Sequence, residues 1–269
     1  MFPPGTLRPE FRLWVAARSH PVVRFVAAAA GWTEGPDACF RLVSRSGVKE
    51  SEVFGRLIDR VAESVRNAGL PNLKYYDAVP EGDSLDILLH EKGFKRLHTE
   101  RVFQAPYDLA WNRVEKNFQK IQNRIPVSWY IEAIRQHPPE TVLGLTALQS
   151  LTTREKLMNC WQADSAFSYD PDLSLILWDD SQPIGTLLVR KVEQTLHLEI
   201  RVVELENRLL RSFGNTFMFH FLAERQPPFD RIRHLQFCGI AGRHQETANL
   251  AIRMGGVELP PRYLYVKAF

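Results

Sequence analysis

The chain has 269 residues, 45% of them hydrophobic and 24% charged, enough to bury one large core or two modest ones. A formal net charge of +3 and a pI near 8.8, with no clustered basic stripe, argue against nucleic acid as a partner. The longest apolar run, residues 22–30, is interrupted by Arg24 and too short to span a bilayer, the N-terminus lacks a secretory pattern, and the scattered Cys39, Cys160 and Cys238 read as buried thiols in a reducing cytoplasm, with neither disulfide framework nor metal spacing.

In chain order, residues 11–17 and 22–30 form two strands around Ser19-His20-Pro21, and residues 38–44 a third. Val53, Phe54, Leu57, Ile58, Val61 and Val65 recur at helical spacing over residues 50–67, and Gly69 ends that helix. A strand at 74–78, a short helix at 84–91 closed by Gly93-Phe94, and a strand at 99–107 follow. Residues 109–123 carry Trp111, Val114, Phe118 and Ile121 at helical spacing, as a connecting helix would. Next come a strand at 128–134 and helices at 139–149 and 153–162, the first opened by Pro139 and the second capped by Thr152 or Thr153. Strands at 173–178 and 183–192 flank the turn Asp179-Asp180-Ser181-Gln182. A strand at 196–202, a turn and helix at 211–225, a strand at 234–238, a helix at 245–254 stopped by Gly255-Gly256 and a strand at 262–266 complete the chain.

The order from residue 173 onward is β-β-β-α-β-α-β, and a strand leading through Arg211-Ser212-Phe213-Gly214-Asn215-Thr216 into an apolar helix is how a chain builds a phosphate cradle: glycine permits close approach, and first-turn N–H groups face the anion. This resembles the GNAT superfamily of acyl-CoA-dependent N-acyltransferases, whose pyrophosphate turn reads Gln/Arg-x-x-Gly-x-Gly/Ala. Arg211, Gly214 and Thr216 stand at the three motif positions, with Thr in place of the small residue. Residues 1–108 follow a similar course, so the chain resembles a tandem of α/β (α+β) units. The first is truncated, 109–126 is a linker helix, and 127–269 carries the acyl-CoA site. In the first copy Ser44-Arg45-Ser46-Gly47-Val48-Lys49-Glu50 loses the motif spacing, and Glu50 and Glu52 bring carboxylates to the place an anion would take. That copy reads as degenerate for CoA.

What the resemblance implies is an acyl-CoA co-substrate, acetyl-CoA in the simplest case, held by Val202, Val203, Arg208, Arg211, Ser212, Phe213, Gly214, Asn215 and Thr216. No metal is implied. Simple alternation puts His197, Glu199 and Arg201 on one face of the strand at 196–202, and Leu196, Leu198, Ile200 and Val202 on the other. Glu199 leads as the general base, with His197 second, and a solvated salt-bridge row is the alternative. Trp161, Phe167 and Tyr169 are cleft-wall candidates on the helices that cover the acceptor site in the resembling fold, or plain core. The tyrosine that many members carry four residues before the last helix's glycine is absent: those positions are Ala251 and Leu89. Tyr263 and Tyr265 are the remaining phenols of the final strand. The expectation is an N-acetyltransferase acting on a small amine, monomeric or weakly dimeric, in the cytoplasm, without nucleic-acid or membrane partners. Its alternative is a non-catalytic GNAT-like module binding CoA or a partner, and third come aminoacyl transferases drawing on charged tRNA.

Overall fold

The structure, a computed structural model, describes residues 12–18, 24–34, 36–45, 50–147, 154–161, 168–225 and 232–269. It divides into two compact units. The first takes the chain through Arg101 together with Ile240–Arg243 and Pro260–Phe269, and the second takes Val102–Gly239 and His244–Leu259. The units are therefore not consecutive stretches of chain.

In the first unit β1 (Arg12–Arg18), β2 (Arg24–Glu34), β3 (Asp37–Ser44) and β4 (Asn72–Pro80) lie side by side, followed by β11 (Val257–Ala268) and the start of β5 (Lys95–Pro106). The Ser19-His20-Pro21 turn lies outside the described residues, whereas the antiparallel pairing it joins runs from Arg12↔Gly31 to Arg18↔Arg24. Helices α1 (Glu50–Asn67) and α2 (Ser84–Glu91) cover one face of this sheet. The α1 residues Phe54, Leu57, Ile58, Val61 and Val65 pack on Phe40, Leu73 and Tyr75, the burial that the helical spacing requires. Asp83 caps α2 by accepting from the Leu85 amide at 2.8 Å, and Gly93 leaves the helix at φ +79°.

The last strand does not close the second unit. β11 pairs antiparallel with β4, from Arg262↔Pro80 to Ala268↔Asn72, while residues 102–106 of β5 belong to the second unit. A buried polar network fixes β11 there. Asp86, on α2 and 4% exposed, accepts from the Tyr265 hydroxyl, from the Gly82 amide at 2.8 Å and from Arg96 at 3.3 Å. Tyr263 donates to Glu81 at 2.8 Å, with the Arg96 guanidinium 3.5 Å above its ring. Burial, then the hydrogen bond to Asp86, push the Tyr265 phenol up to about 12. Burial by itself would raise the Asp86 carboxyl, but the donors outweigh it and hold it below its ordinary value.

In the second unit the strand order is β5, β10 (His234–Ile240), β9 (Thr195–Val203), β8 (Gln182–Val192), β7 (Leu175–Asp179), β6 (Trp129–Ala133). Asp180 at φ +51° makes the tight β7–β8 turn expected from Asp179-Asp180-Ser181-Gln182. Helices α3 (Tyr107–Ile121), α6 (Arg208–Glu224) and α7 (Gln245–Arg253) build the core on one sheet face, and α4 (Glu140–Ala147) and α5 (Arg154–Trp161) the core on the other. The connecting helix α3 is thus a working layer of this unit: Ala110 and Val114 are buried against the same core as Met218 and Leu222 of α6. No helix among the described residues is long and apolar enough to cross a membrane.

Substituting Asp86→Ala strands the buried Tyr265 hydroxyl and takes an acceptor from Gly82 and Arg96, and a loss of about 1–3 kcal/mol is expected in denaturant unfolding near neutral pH. Because the folded carboxyl titrates below the unfolded one, its contribution is complete above about pH 4 and is lost as the pH falls through the lowered folded value. Unfolding curves of wild type and variant should converge there. Equal stability of the two proteins at pH 7 would refute the role of the network.

Candidate functional site

The site begins with one extra residue in β9. Parallel pairing of β9 with β10 covers only Thr195↔His234 to Leu198↔Phe237, although β9 continues to Val203 and β10 to Ile240. Beyond that point β9 stays bonded to β8, up to Gly185↔Val203, and β10 parts from it. The β8–β9 register shifts at the same place: Leu188 faces Ile200 and Val189 faces Leu198, so Glu199 is a bulge.

A bulge reverses the alternation of everything after it, and this corrects the single polar row expected from the sequence. Leu196 and Leu198 are buried in the α6/α7 core, whereas Ile200 and Val202 are buried in the α4/α5 core, with Val203 back in the former. His197 contacts the buried Gln236 at 3.2 Å, on the α4/α5 side. Glu199 accepts from Arg190 Nη2 at 2.9 Å and Nε at 3.2 Å. Arg201 points the other way and donates to Asn215 Oδ1 of α6 at 2.7 Å, in the field of Glu246 on α7. Burial pushes its guanidinium down from its ordinary value, and Glu246 opposes that shift.

The expected turn at 211–216 is helix. Asn207 is the N-cap of α6, its Oδ1 accepting from the Leu209 amide at 2.9 Å and the Leu210 amide at 3.2 Å, and the Arg211 amide already bonds the Asn207 carbonyl at 2.9 Å. The first-turn donors that would face an anion are largely spent inside the chain. Gly214 is buried on the sheet side of the helix: a Cβ there would stand 2.9 Å from Leu177 Cδ2 and 3.2 Å from Val203 Cγ1. Its role is close helix–sheet packing, not approach to a phosphate. Phe213 is core at 5% exposure, and Thr216 returns its hydroxyl to the Ser212 carbonyl at 3.0 Å. Asn215 Nδ2 donates to the Arg211 carbonyl at 2.8 Å, which fixes its Oδ1 toward Arg201. Arg208 is exposed and Arg211 half-buried, and neither guanidinium has an ion pair or hydrogen bond among the described residues. The residue that sequence reasoning missed is Asn207, an Asn directly ahead of an apolar run, which moves the helix start upstream.

On the opposite face Trp161 donates to the His137 carbonyl at 3.2 Å and meets Tyr169 edge to face at 6.4 Å between ring centroids. Tyr169 is 4% exposed and belongs to the core with Ile200 and Val202. Phe167 lies outside the described residues. The positions of the missing tyrosine, Ala251 and Leu89, are fully buried. Tyr263 and Tyr265 donate to Glu81 and Asp86 and belong to the first unit.

The first unit repeats the parting of strands. Parallel pairing of β3 and β4 ends at Phe40↔Tyr75, and the next residue of β3, Arg41, forms a bidentate ion pair with Asp77 of β4. That gap is bridged by the chain's own charges. Residues 46–49 of the degenerate motif lie outside the described residues. No group of three or more His, Cys, Asp or Glu side chains among the described residues is placed to hold a metal.

No family model matches the chain, and no curated protein matches its sequence. Solved structures do. A tandem GNAT protein from the clavulanic acid biosynthesis pathway superposes with a TM-score of 0.64 at 13% identity, over 97% of this chain and 84% of that one. A GCN5-related N-acetyltransferase from Sphaerobacter thermophilus matches at 0.59 and 13% identity, over 91% and 77%. The glucosamine N-acetyltransferase region of a fungal multi-domain GH3 β-N-acetylglucosaminidase matches at 0.61 and 13%, over 96% of this chain and 33% of that one. At such identity the likeness is one of fold, and the fold is that of tandem GNAT proteins.

Gly214→Ala tests the packing role. The helix propensity of Ala favours the variant by about 1 kcal/mol, but overpacking against the fully buried Leu177 costs about 1–3 kcal/mol. A net loss of stability in urea unfolding is expected, and a gain would contradict the contact.

Proposed function

On the tandem GNAT fold, we propose that this protein is an acyl-CoA-dependent N-acyltransferase acting on a small amine, with its site where β9 and β10 part in the second unit. The observation that carries the reading is the bulge at Glu199 coupled to the loss of β9–β10 pairing, because a strand that stops bonding its neighbour exposes main-chain groups to an extended, amide-bearing ligand. The fit is divided. The gap suits a pantetheine arm, but the capped start of α6 does not suit a diphosphate held by main-chain amides. In its place Arg208 and Arg211, with no internal partners among the described residues, supply charge-assisted donors.

Acyl-CoA supplies an activated thioester carbonyl and a thiolate leaving group. The chain's contribution is proton management and exclusion of water. Glu199, exposed on the bulge and oriented by Arg190, is the base that takes a proton from the acceptor ammonium, directly or through water, and His197 stands one alternation away on the same side. With Ala251 at the tyrosine position, the departing sulfur takes its proton from water or from the acceptor itself.

The self-capped α6 favours a second reading, a GNAT-like module that binds CoA or a partner without catalysis. Calorimetry with CoA followed by a transfer assay over an amine panel separates the two. Glu199→Gln is expected to leave binding within a few-fold and to slow transfer by about 10²–10⁴. Arg208→Ala or Arg211→Ala is expected to weaken CoA binding by about tenfold or more, as for a lost hydrogen bond to a charged group. Binding without turnover of any amine favours the module, and no binding at millimolar CoA removes the acyltransferase and the CoA-binding module together, leaving a module that binds a partner.

A further inference from the structure

Among the described residues, the sheet of the first unit has helices on one face only, and its first strand has a partner along one edge only. β1 stands at the end of the strand order, bonded to β2. Trp14 and Ala16 pack toward the core under α1, so alternation turns Leu13, Val15 and Ala17 to the other face. All three are exposed there, Leu13 at 57% and Val15 at 55%. Register carries this apolar row inward: Val15 faces Ala28, and Ala28 faces Val43, itself 49% exposed. An apolar strand with an open row of main-chain donors and acceptors is a template for a further strand.

Charge says which strand. Between Glu10 and Glu34 the sequence has three arginines, Arg12, Arg18 and Arg24, and no acidic residue. β1 begins at the first and ends at the second, and its register sets Arg18 opposite Arg24, a like-charge pair that costs the sheet stability. Arg12 donates to the Ser64 hydroxyl of α1 at 2.5 Å, and the neighbouring Glu63 is taken up by Arg60 at 3.1 Å. A second copy fits badly: antiparallel pairing about Val15 brings Arg12 against Arg18 at both ends, and parallel pairing brings each arginine against itself. Arginines at the ends of an edge strand guard it against copies of itself, not against a strand that brings carboxylates.

We propose that β1 is a docking edge for an extended segment of a partner protein, which joins the sheet as its next strand. The segment is apolar opposite Leu13, Val15 and Ala17 and carries carboxylates opposite Arg12 and Arg18. Main-chain bonds along the edge supply affinity, and the two charges supply the choice of partner. This inference is independent of the acyl-CoA reading, because it concerns another unit and no residue of that site.

The test uses two capped, fluorescein-labelled peptides, Glu-Val-Thr-Val-Thr-Val-Glu and Lys-Val-Thr-Val-Thr-Val-Lys, read by anisotropy against the full chain. Both are palindromic, so in either strand direction their valines stand opposite Leu13, Val15 and Ala17. Wild type is expected to bind the glutamate peptide about tenfold or more tightly than the lysine peptide, a preference that shrinks as salt is raised. Arg12→Glu combined with Arg18→Glu should reverse the preference. Equal affinity for the two peptides, or no binding of either at millimolar concentration, overturns the proposal and needs no variant to fold. A wild-type dimer in sedimentation velocity that Val15→Lys dissolves also overturns it, giving the edge to a second copy of the chain.

Discussion

A single supernumerary residue in β9 organises the second unit. Inserting Glu199 opposite one β8 position makes the strand turn about its axis, so that Leu198 and Ile200, two residues apart, face opposite layers. Three consequences follow from the same distortion. The strand leaves β10, a carboxylate stands out at the point of departure beside Arg190, and the next polar residue, Arg201, is sent through the sheet plane toward α6 and α7. Without the bulge Arg201 would share a face with His197, and Ile200 and Val202 would leave the core that holds α4 and α5. The apolar load on Ile200 and Val202, each under 9% exposed, therefore stabilises the very geometry that opens the gap.

Periodicity revealed most of the elements and none of this. The helices Glu50–Asn67 and Ser84–Glu91, the β7–β8 turn and the strands from 173 onward were legible because local pattern and local structure agree there. Alternation along 196–202 misled because it assumes an unbroken pleat, and nothing in Leu-His-Leu-Glu-Ile-Arg-Val marks which residue is extra. The phase break is visible only in which core each leucine or isoleucine fills. Glycine misled in a different way. Gly214 reads as punctuation in one dimension, yet it costs a helix only about 1 kcal/mol, which contact with Leu177, Val203 and Trp129 offsets. Asn207, four positions ahead of Arg211, carried the true signal for the helix start.

The two units share a device and treat it differently. In each, a parallel pair of strands pairs over a few residues and then separates. In the first, Arg41 and Asp77 close the separation by pairing with one another, which satisfies both charges and leaves little for a ligand to gain by displacing them. In the second, charges are kept on opposite faces of the gap: the Arg190–Glu199 pair on one side, Arg201 with Asn215 on the other. The sequence reading of the first copy as degenerate rested on the lost motif spacing and on the carboxylates of Glu50 and Glu52. The Arg41–Asp77 pair lies in β3 and β4, in residues that no motif singled out.

Placement of the C-terminal strand settles where its tyrosines act. Two phenols that local sequence sets beside the second unit's last helix are drawn into the first unit by β11, where each donates to a carboxylate. A phenol pushed up to about 12 and already hydrogen-bonded to a buried aspartate is a poor proton donor to an outside sulfur, because giving up its proton would set a phenolate against that carboxylate. The same pairing is what makes it a good structural clasp, since the donor that holds Asp86 ionised also orders β11 against α2.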